Sequence, residues 1–344
     1  MSARSQGRKT VLADLGLQGG GAHGAFTWGV LDRLLEEPWL QYDGISGTSA
    51  GAMNAAVMID GHAAGGAEGA RQALERFWRA VSDAARFSPF RRGPLEVLTG
   101  TWSLDYSPLF VAMDLAARVV SPYDANPLGA NPLEEILQDC IDFDRLKQAP
   151  IKLFVTATNV RTGRGRVFRN ADVTPHVLLA SACLPTMFQA VEIDGEAYWD
   201  GGYSGNPSLA PLIRECSSHD TIIVQINPIE RPGTPRTARE IHNRLNEIAF
   251  NSVLIKEYRA AALLRRVADP GTGEGRLLAE MRIHRIASDI MLELGYSSKL
   301  LAEWDFFRML RDAGRSAAAQ FLQQHGADLG VRSTLDIDRY LEGI

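Results

Sequence analysis

The sequence predicts an α/β protein with a mostly parallel central sheet, on three observations. A strand, a glycine-rich loop and an amphipathic helix follow one another over residues 11–17 (VLADLGL), 18–24 (QGGGAHG) and 25–37 (AFTWGVLDRLLEE). A second such unit comes at once: a short strand over 42–46, the turn Gly47-Thr48-Ser49-Ala50-Gly51, and a small, apolar helix over 52–59. Further on, β-branched runs at 151–158 (IKLFVTAT) and 221–226 (TIIVQI) are separated by helical stretches. Strands joined through a helix lie parallel in a right-handed crossover, so the first two turns emerge at the same sheet edge.

Composition narrows the class. A chain of 344 residues accommodates one large domain with additions, or two domains. Hydrophobic residues at 45% and charged residues at 22% are ordinary for a globular protein. A net charge of −5 argues against a nucleic-acid binder, for which a basic face is expected. Residues 1–10 (MSARSQGRKT) are polar and basic without an apolar core, so they are expected to be a flexible N-terminus and not a secretory signal. No run reaches the ~18 apolar residues of a membrane-spanning helix. Cys140, Cys183 and Cys216 are widely spaced with no C-x-x-C pair, which suggests reduced thiols and neither a disulfide framework nor a zinc site. The expected location is cytoplasmic, with peripheral contact at a membrane surface as an option.

The remaining elements follow in order. Residues 61–69 (GHAAGGAEG) read as a loop and 70–81 as a helix. From 84 to 129 the pattern is irregular, with Phe87, Phe90, Trp102, Tyr106, Phe110 and Tyr123 among Pro89, Pro94, Pro108, Pro122 and Pro127. This insertion either covers the serine turn as a lid and lines an acyl-chain pocket, or is a packed excursion; within it, 109–120 is either a lipid-contacting helix or a buried one. Asn131-Pro132 opens a helix that ends before Pro150. Residues 161–170 read as a hairpin whose Arg164 and Arg166 are either phosphate contacts or a solvated turn. A helix is expected over 174–182 and a hairpin over 190–199, turning at Asp194-Gly195. A long helix over 237–267 carries Ile241, Leu245, Ile248, Ser252 and Ile255 on one face; a final strand over 283–287 and a helical region over 297–324, broken near Gly314, close the chain.

The chemistry lies at the first two turns. A serine on a tight strand-to-helix turn is held clear of the backbone, and flanking glycines avoid a clash there, which makes Ser49 a candidate nucleophile. Glycines opening a helix present backbone N–H groups, with the helix dipole behind them, to developing negative charge. Gly20, Gly21 and Ala22 are the candidate oxyanion-hole donors. The same loop also fits the dinucleotide pattern G-x-G-x-x-G through Gly19, Gly21 and Gly24. That reading needs an acid at the end of the second strand, whereas Asp43 stands near its start and the serine turn ends it.

Three runs in order, Gly19-Gly20-Gly21-Ala22-His23-Gly24, Gly47-Thr48-Ser49-Ala50-Gly51 and Asp200-Gly201-Gly202, resemble the patatin-like phospholipase family over roughly residues 11–213. The run Ser181-Ala182-x-x-Pro185 resembles the family too, in which it shapes the pocket floor. The resemblance implies a three-layer α/β/α fold and hydrolysis of lipid acyl esters by a serine-aspartate dyad, with Ser49 as nucleophile, Asp200 as base and the glycine loop as oxyanion hole. Plant patatins carry Lys or Arg where His23 stands, so a role for that charge does not carry over. The expected organisation is a catalytic domain over 11–213, then a last core strand and a helical C-terminal region over 214–344 that covers the sheet or forms a homo-oligomer surface.

The base can also be sought among the histidines. His219, His242, His284 and His325 follow Asp200, but none sits in a glycine-punctuated turn after a strand, and His23 is better placed to orient a donor or a phosphate. Asp200 is left to act directly. Its ordinary pKa of about 3.9 is low for this work, and desolvation beneath a lid would raise it. No metal or organic cofactor is required. The expected partner is a lipid or acyl-ester substrate; an acyltransferase using the same dyad and a non-catalytic phosphate- or nucleotide-binding module are the alternatives.

Overall fold

The computed structural model describes residues 8–88, 90–117 and 119–342. Residues 1–7 of the expected flexible N-terminus, Pro89, the Phe87 side chain, and Arg118 of the helix expected over 109–120 lie outside what is described. Eight strands form one sheet: β1 (Val11–Leu17), β2 (Leu40–Gly47), β3 (Lys152–Asn159), β4 (Gly165–Arg169), β5 (Val191–Ile193), β6 (Glu196–Asp200), β7 (Asp220–Val224) and β8 (Arg282–Ile286). Their order is β5-β6-β3-β2-β1-β7-β8, with β4 also paired to β3. Strands β3, β2, β1, β7 and β8 are parallel, and β4, β5 and β6 add an antiparallel edge.

Alternate residues of the central strands feed two cores, which makes the sheet the middle of three layers. Leu153, Val155, Ile222 and Val224 point into one core, Phe154 and Ile223 into the other. The first core is covered by α1 (Gly24–Leu34) and α2 (Ala50–Ala84). The chain then runs through α3 (Pro94–Thr99), α4 (Pro108–Ala116), α5 (Pro122–Ala125), α6 (Leu133–Cys140), α7 (Phe143–Gln148) and α8 (Pro175–Ser181). The second core lies under α9 (Ala210–Glu215) and α10 (Ala238–Val267), followed by α11 (Gly273–Glu280), α12 (Ile290–Glu293) and α13 (Trp304–His325). Helix α13 returns to the first face and packs along α1.

Four expectations need correction. Residues 61–69 are helical apart from a kink at Gly65 and Gly66, where α2 folds back on itself; Trp78 Nε1 then donates to Asn54 Oδ1 at 3.1 Å. The small residues serve close approach, since a Cβ on Gly61 would sit 2.6 Å from that of Ala73. Helix α13 does not break at Gly314, where a Cβ would collide with the Phe26 carbonyl of α1; the glycine lets the helices touch, and the irregular stretch lies before Trp304. Ile241, Leu245 and Ile248 are exposed, and α10 instead buries Glu247, Phe250, Asn251, Leu254 and Tyr258. Finally, α4 has no buried residue, which removes the buried-helix reading of 109–120 for the described part.

At the end of the sheet away from the serine turn, Asp220 accepts from Arg282 at 2.8 Å, from His284 Nε2 at 3.0 Å and from the Gly330 N–H at 2.8 Å. Against the cost of burial, these partners hold its carboxyl at about 2. A depressed carboxyl stabilises the fold above its ordinary range and loses that contribution as pH falls toward 2. Asp220→Ala is expected to cost about 3 kcal/mol, because it leaves the partly buried Arg282 guanidinium and the buried His284 ring without their acceptor. Urea unfolding at pH 7 measures this, and the gap to wild type should shrink toward pH 2.

Candidate active site

Strand β2 ends at Gly47 and α2 starts at Ala50, so Thr48 and Ser49 reverse the chain. Ser49 has φ 55° and ψ −125°, a conformation costing roughly 1–3 kcal/mol that persists only where the surroundings impose it. They do so here. The Ser49 N–H donates to Ser181 Oγ at 2.8 Å, and that hydroxyl donates onward to the Thr156 carbonyl at 2.7 Å. Thr48 Oγ1 donates to the Gly205 carbonyl at 2.6 Å. Gly47 and Gly51 face each other across the turn, where a Cβ on Gly47 would lie 2.6 Å from the Gly51 oxygen.

Asp200 ends β6, next to β3 in the sheet, and Gly201 and Gly202 turn the chain behind it. The Gly202 N–H donates to Asp200 Oδ1 at 2.7 Å. Burial raises the carboxyl to about 6, opposed by the Gly202 N–H, the nearby Ser49 hydroxyl and the Lys299 ammonium. An acid of this kind is ionised at neutral pH and far more basic than a solvated aspartate.

The glycine loop follows β1, the other strand beside β2. Gly19 is structural: its N–H is taken by Asn206 Oδ1 at 2.7 Å and its carbonyl by Asn227 Nδ2 at 2.9 Å. Gly24 begins α1, and a Cβ there would lie 2.7 Å from that of Ala50. Gly20, Gly21 and Ala22 line the same cavity as Ser49 and Asp200. Gly21 has φ 58°, and a Cβ on it would collide with the Lys299 carbonyl oxygen.

His23 points away into the core, where Nε2 meets Ser298 Oγ at 2.8 Å. Ser298 gives its single hydrogen to the Gly295 carbonyl, so Nε2 carries the ring proton. Burial, and then the Lys299 charge, holds this histidine well below its usual range, so it is neutral. The sequence-predicted Ser49, Asp200, Gly20, Gly21 and Ala22 are thus brought together, whereas His219, His242, His284 and His325 do not line the cavity. Arg166 is engaged by Asp194 at 3.0 Å and Tyr198 Oη at 3.0 Å, and neither it nor Arg164 lines the cavity.

The cavity has a volume of about 330 Å³. Its walls are mostly apolar, including Met53, Phe77, Trp78, Leu184, Phe188 and Phe307. Ala84, Ala85, Ser88 and Phe90 from the start of the irregular segment, and Leu133 just beyond it, also line the cavity. Sequence reasoning missed Asn246, Phe250, Tyr296 and Lys299, which come from the C-terminal region. Their one sequence signal was Asn227-Pro228, a polar break just after a strand of the parallel sheet, where α/β proteins place ligands. Asp14, Asp43 and Cys216 form a separate acidic group further down β1 and β2. Asp43 is already paired with Lys152 at 3.1 Å and Asp14 with the Gly44 N–H at 2.9 Å.

Fold and site define a three-layer α/β/α protein in which a serine turn, an acid and a glycine loop share one apolar cavity. The chain belongs to the patatin-like phospholipase family, whose profile matches residues 15–213. That places it in a family of hydrolytic enzymes. No curated protein sequence matches it. Among solved structures it is similar to VipD from Legionella pneumophila, at 17% identity and a TM-score of 0.40, over 92% of this chain and 67% of that one. No helix among the described residues is long and apolar enough to cross a membrane.

Proposed function

We propose that the protein is a lipid acyl hydrolase of the phospholipase A or lysophospholipase kind, working through an acyl-enzyme on Ser49. The observation that carries this reading is the meeting of a strained serine and an acid lifted to about 6 in the lining of one mostly apolar cavity. The acyl chain occupies the apolar walls. Ser49 Oγ attacks the ester carbonyl while Asp200 accepts its proton, and the N–H groups of Gly20, Gly21 and Ala22 hold the oxyanion. The C–O bond to the alcohol then breaks, and the leaving oxygen takes the proton from Asp200. Water, deprotonated by Asp200, attacks the acyl-enzyme; the acyl C–O bond to Ser49 breaks, Ser49 Oγ takes the proton back from Asp200, and the fatty acid leaves. The residues provide every proton transfer, so no cofactor is needed.

Labelling by an alkyl fluorophosphonate tests the assignment. A single adduct on Ser49, lost in Ser49→Ala together with turnover of p-nitrophenyl esters, supports it; full turnover by Ser49→Ala sinks it. Adding an alcohol during turnover separates hydrolysis from acyl transfer.

Exposed apolar residues support contact with a lipid surface. Leu109, Val111, Met113 and Leu115 of α4 are all exposed, as are Ile241, Leu245 and Ile248 of α10. Arg239 of α10 lies over the ring of Tyr106, two residues before α4, at 4.8 Å. Leu115→Asp with Leu245→Asp is expected to reduce sedimentation with phosphatidylcholine vesicles several-fold while leaving hydrolysis of a soluble ester unchanged. If vesicle binding is unaffected and the wild type elutes as a dimer that the variant lacks, the patch joins two copies through the C-terminal helices instead.

A further inference from the structure

Lys299 is the one cation lining the cavity among the described residues. It lies in a short 3-10 turn, Ser297–Leu300, well beyond the family match at 15–213. Its ammonium donates to Asn227 Oδ1 at 2.8 Å and Asn246 Oδ1 at 2.7 Å, which uses two of its three hydrogens. No carboxylate among the described residues forms an ion pair with it. Glu247 is taken by Arg231 at 2.6 Å and Arg244 at 3.1 Å, and Asp200 Oδ1 by the Gly202 N–H. The amide of Asn246 turns its oxygen to Lys299, and its Nδ2 hydrogens have no acceptor among the described residues. Lys299 and Asn246 are partly buried, and their unused donors face an otherwise apolar cavity, where an entering acceptor would complete their hydrogen bonding.

We infer that Lys299, with Asn246, is a specificity-determining subsite for an anionic oxygen, phosphate or carboxylate, on the alcohol side of the ester that Ser49 attacks. The apolar walls claim the acyl chain, so the negative group must belong to the leaving alcohol. Acidic acyl esters are then preferred over neutral ones with the same chain. The inference rests on the serine-hydrolase reading. Burial also lowers the ammonium to about 8, against the pull of Glu247 and Asp200, while His23 beside it is neutral and the Tyr296 hydroxyl lines the same wall. The preference therefore fades above pH 8.

The test compares 1-acylglycerol with 1-acylglycerol 3-phosphate of the same acyl chain, for the wild type, Lys299→Met, Lys299→Arg and Ser49→Ala. The wild type should favour the phosphate ester. Lys299→Met should lower kcat/KM for the phosphate ester about 10- to 100-fold more than for the neutral ester, the excess falling mainly on KM, with Lys299→Arg restoring part of that excess. An equal loss on both esters, or an unchanged ratio, overturns the subsite. Ser49→Ala provides the independent readout: dodecyl phosphate should bind it at least 10-fold more tightly than dodecyl glucoside, by calorimetry, whatever the folding of the Lys299 variants. Inorganic phosphate binding as tightly as dodecyl phosphate would make this a free-anion site and overturn the inference. If Ser49→Ala keeps full turnover, the hydrolase reading fails; if it is inactive but shows no preference for the anion, only the subsite does.

Discussion

Ser49→Ala is expected to reduce kcat on p-nitrophenyl esters by about 10⁵-fold or more, and Asp200→Asn by about 10²–10⁴-fold. The difference between them is chemical. Without Ser49 there is no oxygen to acylate, whereas Asn at 200 keeps the shape of the site and leaves the proton without a strong acceptor. Stability should move the other way for Asp200→Asn. The buried carboxyl titrates at about 6, above its ordinary 3.8, so the folded state holds the proton more tightly than the unfolded one. A raised carboxyl favours folding below the ordinary value and loses that contribution as pH rises through 6. At pH 7 the charge then weakens the fold by roughly 3 kcal/mol, which Asn relieves. Thermal melts at pH 4.5 and 7.5 check this: Asp200→Asn should raise Tm at the higher pH much more than at the lower. The pH profile of kcat/KM for a neutral ester should rise through about 6 as Asp200 ionises, with Ser49, Lys299, Cys183 and Tyr203 as the groups around it. A flat profile would remove Asp200 as base.

Gly21→Ala is expected to lower kcat about 10²–10³-fold with little change in KM. At φ 58° an L side chain is strained, and the new Cβ collides with the Lys299 carbonyl oxygen, so the loop must move. On the proposed mechanism, the donors would then lose their aim at the transition state while the apolar cavity stays intact. Gly20→Ala is the matched control. Its φ of 167° is extended backbone, and the new methyl meets only the end of the Ile226 side chain at 2.8 Å, so a small shift of that side chain accommodates it. Equal losses from the two substitutions would mean that loop geometry is not what governs turnover.

The candidate site was legible in the sequence wherever its geometry is local. The expected first strand coincides with β1, and the Asp194-Gly195 hairpin appears where two positive φ angles are needed. The serine turn and glycine loop are readable because each compresses into a few residues what the backbone requires. What escaped depends on tertiary contact. Helix α10 inverts its expected face because its buried polar residues are satisfied by distant partners, Asn251 by Gln18 at 3.1 Å and Glu247 by Arg231. Gly314 looks like a helix breaker until α1 is laid against it. Lys299 stands in a run, SSKLL, with no motif at all, and only the return of the C-terminal chain brings it to the cavity.

The strand order also sets a schedule for the nascent chain. Strand β1 is central, yet one of its two neighbours, β7, begins at Asp220, and β8 follows only at Arg282. Once β2 has left the ribosome at Gly47, β1 and β2 can pair, but the outer flank of β1 stays an open, apolar edge until β7 is complete at Val224. Pairing over such sequence distances is slow, and unfilled parallel edges invite association with other chains. Production of this protein should therefore respond more to slower synthesis and chaperone supply than to changes at its surface.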